Sequence, residues 1–149
     1  MTRSTLMILT AFPAAFLMAC SGGEPQTETS APVTAEIAAD MSLPDMADRV
    51  IADSRELTTM LARVDSAEAA EAARPEVEAM VANYRVLIDR FETMGEPSFS
   101  DMAALASRGA ALAEAQQGVS AEVRRIYNDH PEAADILRDA LDDAGRAQP

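Results

Sequence analysis

From Leu43 to Leu141 apolar residues return every three to four positions with charged residues between them, the period of helices that bury one face. The first such segment carries Leu43, Ala47, Val50, Leu57, Leu61 and Val64 on one face, and Pro44 suits its first turn, where no N–H is needed. A second stripe runs Val77, Met80, Val81, Tyr84, Leu87, Ile88, Phe91 and Met94, with Pro75 at its start and Gly95-Glu96-Pro97 at its end. Between them Asp65-Ser66-Ala67-Glu68 reads as a cap opening a short alanine-rich turn or helix that ends near Arg74. If the two stripes fold back on each other near residue 70, Met46 meets Met94, Val50 meets Phe91, Leu57 meets Tyr84, Met60 meets Met80 and Val64 meets Val77. Apolar positions facing apolar positions along the whole length is what an αα-hairpin requires.

A third helix is expected from Ser98 or Ser100, with Asp101 completing the cap and Met102, Leu105, Gly109, Leu112, Gln116, Val119, Val123 and Ile126 forming its stripe. Gly118 is a candidate for a kink or break. His130-Pro131 resets the chain, and Ala133, Ile136, Leu137, Ala140 and Leu141 make a last, short helix. The pattern predicts an all-α domain at 43–149, a small antiparallel helical bundle of three long helices and a short fourth. Upstream, residues 21–42 are rich in Gly, Ser, Thr, Pro and Glu without a sustained apolar period. They read as a flexible, disordered tether that cannot bury enough apolar surface to order itself.

Before the tether lies Leu6 to Cys20, LMILTAFPAAFLMAC, an apolar run behind a short N-terminus whose one charged side chain is Arg3. A helix that crosses a bilayer needs about 20 apolar residues, and this run is shorter and contains Pro13. The layout is that of a secretory signal. Its last four residues, Leu17-Met18-Ala19-Cys20, resemble the lipobox of bacterial lipoproteins, with Met18 standing where that family prefers a small residue. The resemblance covers residues 1–20. It implies a signal peptide at 1–19, removed before Cys20, and lipidation of the Cys20 thiol, so that residues 20–42 become the anchored tether. Ser21, by the same resemblance, points to the outer membrane rather than retention at the inner one. The stretch Val64-Asp65-Ser66-Ala67 to Pro75 is similar to segments of small exported helical proteins and implies no activity.

Composition narrows the partners. The formal net charge is −13 at pH 7, and every basic residue is an arginine. Loss of residues 1–19 would remove Arg3 and make the body more acidic still. Such a body lacks the basic footprint that nucleic acid or an anionic lipid surface demands. The single cysteine is the one assigned to the anchor, so the fold has no disulfide.

Candidate chemistry is thin. His130 is the sole histidine and sits at a helix boundary, where a structural role outweighs a catalytic one. No Glu-x-x-His pair, Cys-x-x-Cys-His or glycine-rich phosphate loop occurs. Asp53 and Gln116 touch the apolar faces; burial of this kind raises the pKa of catalytic carboxylates, but a rim position with a nearby arginine, or a face left open for a partner, is the simpler account. The methionines Met41, Met46, Met60, Met80, Met94 and Met102 read first as adaptable core fillers, although thioethers also suit a soft ion such as Cu(I). Gly109 with Ala103, Ala106, Ala110 and Ala113 makes the third helix thin, able to pack closely or to leave a groove for another chain. The sequence thus predicts no catalytic residue, no metal site and no resident cofactor, with Cys20 the one modified position. The expected function is a lipid-anchored envelope protein, facing the periplasm, that binds another envelope protein. The alternative is a small-ligand or metal carrier, copper or haem, using the bundle interior.

Overall fold

A computed structural model describes residues 31–146, with side chains as far as Asp142. Five helices follow one another: α1 (Ala35–Asp40), α2 (Leu43–Leu61), α3 (Ala67–Thr93), α4 (Phe99–Asp129) and α5 (Pro131–Arg146). No strand occurs among the described residues, so the fold is all-α. Each of the first four starts on a hydroxyl that relieves an unpaired backbone N–H. Thr34 accepts from Ile37 N, Ser42 from Asp45 N, Ser66 from Ala69 N and Ser98 from Asp101 N. At Ser98 the bond is reciprocated by the Asp101 carboxylate, a complete capping box.

Two hairpins lie side by side. α3 reverses α2 through residues 62–66, and α5 reverses α4 through the single residue His130. α2 packs chiefly along α4, and α3 along α5. α2 and α4 run parallel. Asp48 meets Arg108, Thr58 meets Gly118, and the carbonyls of Leu61 and Val64 meet Arg125. The antiparallel pairing inside the first hairpin follows the sequence register to within a turn, since Ser54 Oγ stands 2.6 Å from Tyr84 OH. Met60 and Met80 share the main core with Leu57, Val64 and Val77, joined by Val119 and Ile126 of α4 and Leu137 of α5. A second cluster closes the opposite end of the first hairpin, where Val33 and Ala38 pack on Met46 and Leu87.

Four expectations change. The tether is shorter than 21–42, because Val33 (6% exposed) and Ala38 (1%) are buried and Thr34 caps a helical turn and a half. Two apolar residues five apart show no period in sequence; only the hairpin they cover makes them core. α3 runs unbroken through Pro75, so the expected boundary near Arg74 is absent. Both Pro75 and Glu71, whose carbonyl loses its donor, are exposed, so the unpaired carbonyl faces solvent rather than the core, while buried Ala70 and Val77 hold the helix on either side. α4 likewise passes Gly118 without a break. Phe91, expected opposite Val50 in the core, is 51% exposed. Val50 instead joins Leu87 in the lower cluster, where the N-terminal segment takes the place the register gives to Phe91.

Candidate functional site

Buried polar groups are costly unless paired, and Asp53, Ser54 and Asn83 are all buried. Asp53-Ser54 of α2 face Asn83-Tyr84 of α3, and each partnership in this seam is specific. Arg49 Nε donates to Asp53 Oδ1 at 2.7 Å, and its Nη2 donates to the carbonyl of Ala31 at 2.5 Å. Asn83 Oδ1 accepts the backbone N–H of Val33 at 2.9 Å. Asp53 is therefore no rim residue: it is fully buried and, through Arg49, helps clamp the incoming chain. Tyr84 shares the seam, and burial pushes its hydroxyl up to about 12, with the Asp53 charge adding to the rise and the Ser54 hydrogen bond opposing it.

The remaining predicted positions are dispersed. Cys20 lies outside the described residues. His130 is half-buried at the C-terminus of α4, its N–H bonded to Ile126 O and its carbonyl accepting from Ala134 N. It stands at the end of the bundle away from the clamp. Gln116 is half-buried on α4. Met46 and Met94 gather in the lower cluster, and Met60 and Met80 in the upper one, as the register proposed, and Met41 joins the lower cluster. Among the described residues no group of His, Cys, Asp or Glu has the geometry of a metal site. A shallow groove of about 180 Å³ between α3 and α5 is lined by Glu78, Val81, Arg85 and Asp139, well short of a small-molecule pocket. No described helix is long and apolar enough to cross a membrane.

The least explained surface is the outer face of α4. Phe99 (92% exposed), Met102, Ala103, Ala106, Ala110 and Ala113 are all exposed along its first four turns, with Gly109 among them. The expected stripe is buried only from Ala115 onward, at Val119 and Ile126. With Arg108 fixed opposite Asp48, nine residues of α4 precede the contact and only five of α2, so α4 overshoots the start of its partner by roughly 6 Å, which accounts for Phe99 and Met102. Ala103, Ala106, Ala110 and Ala113 lie on the opposite face of α4 from the half-buried Ala104, Leu105, Arg108, Ala111 and Leu112. The fork between Arg108 and Asp48, at 2.7 and 2.8 Å, sets that offset and holds the Asp48 carboxyl below the usual carboxylate range. The result is a smooth, uncharged ridge on a strongly acidic body. The small residues that could have packed against a neighbour within the chain are instead exposed among the described residues, and a Cβ at Gly109 would meet nothing within 4 Å.

No protein-family model, curated protein or solved structure matches this chain.

Proposed function

We propose that the protein is a lipid-anchored component of the bacterial envelope, facing the periplasm from the outer membrane, whose acidic helical body binds another envelope protein and performs no chemistry of its own. The anchor is read from Leu17-Met18-Ala19-Cys20. The single observation that carries the binding role is the exposed, uncharged ridge of α4 from Met102 to Ala113, set on a chain of formal charge −13. Small residues let a partner helix approach closely, and the absence of charge spares the partner the cost of desolvating ions. A photo-cross-linking residue at Ala110 should capture one defined protein in intact cells, and the same residue at Glu132 should not. Ala106→Glu with Ala110→Arg should abolish both the adduct and the cellular role, whereas His130→Ala should leave them intact. A turnover lost in His130→Ala would overturn this reading.

A second reading, a soft-metal carrier, draws on Met41, Met46 and Met94 sharing one cluster. Stoichiometric Cu(I) that is lost in Met46→Leu would favour it.

A further inference from the structure

The exposed apolar side chains are not spread evenly. Ile37 of α1 and Phe91 of α3 are each 51% exposed, and Phe99 and Met102 open α4, the helix that overshoots α2. All four belong to the same end of the bundle. Ile37 lies on the segment packed against Leu87, Phe91 follows Leu87 by one turn, and residues 94–98 lead directly from α3 to Phe99. The chain also enters the fold nearer this end than the other: Arg49, which holds Ala31, stands about 9 Å along α2 from its start and about 18 Å from its end, and Asn83, which holds Val33, about 15 Å from the end of α3 and about 24 Å from its start.

We infer that this end is a second membrane contact: Phe91, Phe99 and Ile37 seat in the interface of the bilayer that holds Cys20. The inference rests on the lipid anchor of the proposed function and not on its protein partner. The length of chain makes the argument. Residues 21–30 alone separate the anchor from the clamped Ala31, and about ten residues span at most roughly 36 Å even when fully extended. The end bearing the exposed aromatics is thus the nearer of the two to the anchor, and contact there is an intramolecular event at high effective concentration. Phe99, almost wholly clear of the fold, and the half-exposed Phe91 and Ile37 suit an interface that accepts apolar groups to a depth of about 5–10 Å. Charge selects the lipid. Glu36, Asp40, Glu92, Glu96 and Asp101 surround the tip, so the surface it meets is zwitterionic rather than anionic.

The chain has no tryptophan, so Phe99→Trp and, at the opposite end, Tyr127→Trp each supply a single reporter at an exposed site. The full-length membrane protein is reconstituted in phosphatidylethanolamine–phosphatidylcholine vesicles carrying a dibrominated phosphatidylcholine, and the mass of Cys20 is read on the same sample. The bromolipid should quench Phe99→Trp about threefold more than Tyr127→Trp, and phosphatidylglycerol should reduce that difference. Equal quenching on an acylated protein would overturn the contact and leave the anchor standing. Unmodified Cys20 with selective quenching by added vesicles would sink the anchor and keep the contact. Unmodified Cys20 with equal quenching would overturn both. An emission shift in Phe99→Trp that follows protein concentration without bromolipid quenching would assign the tip to a second copy of the chain and overturn the lipid contact.

Discussion

Tyr84 ionises near 12 in the folded protein against about 10 in the unfolded chain, so between these values the folded state holds a proton that the unfolded state has released. Stability must then fall as pH rises through that window, by up to about 2–3 kcal/mol, and be fully present below pH 10. Tyr84→Phe should remove this alkaline loss. At neutral pH it should cost about 1–3 kcal/mol, because the buried Ser54 hydroxyl loses its partner. Urea melts at pH 7 and pH 11 measure both effects, and an unchanged alkaline slope in Tyr84→Phe would place the titrating group elsewhere. A second contrast separates two members of one predicted stripe. Leu87→Ala should cost about 2–5 kcal/mol, whereas Phe91→Ala should lie within about 0.5 kcal/mol of wild type. Periodicity put both on one face, correctly, but could not see which of them the N-terminal segment would cover. Asp53 is the same case in polar form: the nearby arginine was legible, while the backbone carbonyl of Ala31 on that arginine's far side was not.

Helices themselves were readable because their signals are local: Ser98 with Asp101, the alternation from Leu43 to Val64, and the reset at His130-Pro131 all act within a turn. Breaks were over-read. Proline and glycine weaken a helix by fixed local amounts, whereas tertiary contacts decide whether it continues, and Gly118 tests this. A Cβ there would sit 3.0 Å from Thr58 Oγ1 and 3.3 Å from its methyl, and Thr58 is itself held by a 2.8 Å bond to Ser54 O. Gly118→Ala should therefore destabilise by about 1 kcal/mol despite the better helix propensity of alanine. In a Thr58→Ala background the same substitution should stabilise by up to about 1 kcal/mol. A double-mutant cycle by chemical denaturation reads the sign reversal, and identical effects in both backgrounds would show that α2 and α4 do not approach closely at this point. Arg125 fastens the same two helices further along. Its Nη2 caps the carbonyls of Leu61 and Val64 at 2.8 and 3.1 Å while Nε holds Glu122, so one side chain fixes where α4 ends relative to α2.

For the whole molecule, fold class was legible in the sequence and assembly was not. Facing stripes predict an antiparallel hairpin, but nothing local says that two hairpins will lie with α2 parallel to α4, or that residues 31–40 will close one end. That closure governs how far the body stands from residue 20, because with the clamp made only residues 21–30 intervene, and with it open the separation extends to residue 42. The clamp has one removable acceptor. Asn83→Leu keeps volume and burial but leaves the Val33 N–H without its partner, a loss of about 1–3 kcal/mol confined to a segment with few other contacts. Local opening draws on local stability rather than on the global value. Hydrogen exchange should therefore accelerate at Ala38 and Met41, whose amides bond within this turn, while Met80 and Ile126 in the main core keep their protection. Unchanged exchange at Ala38 would mean that Val33 and Ala38 hold the segment by packing alone. Uniform acceleration across both clusters would mean that the segment is integral to the bundle and cannot release the body from its position by opening.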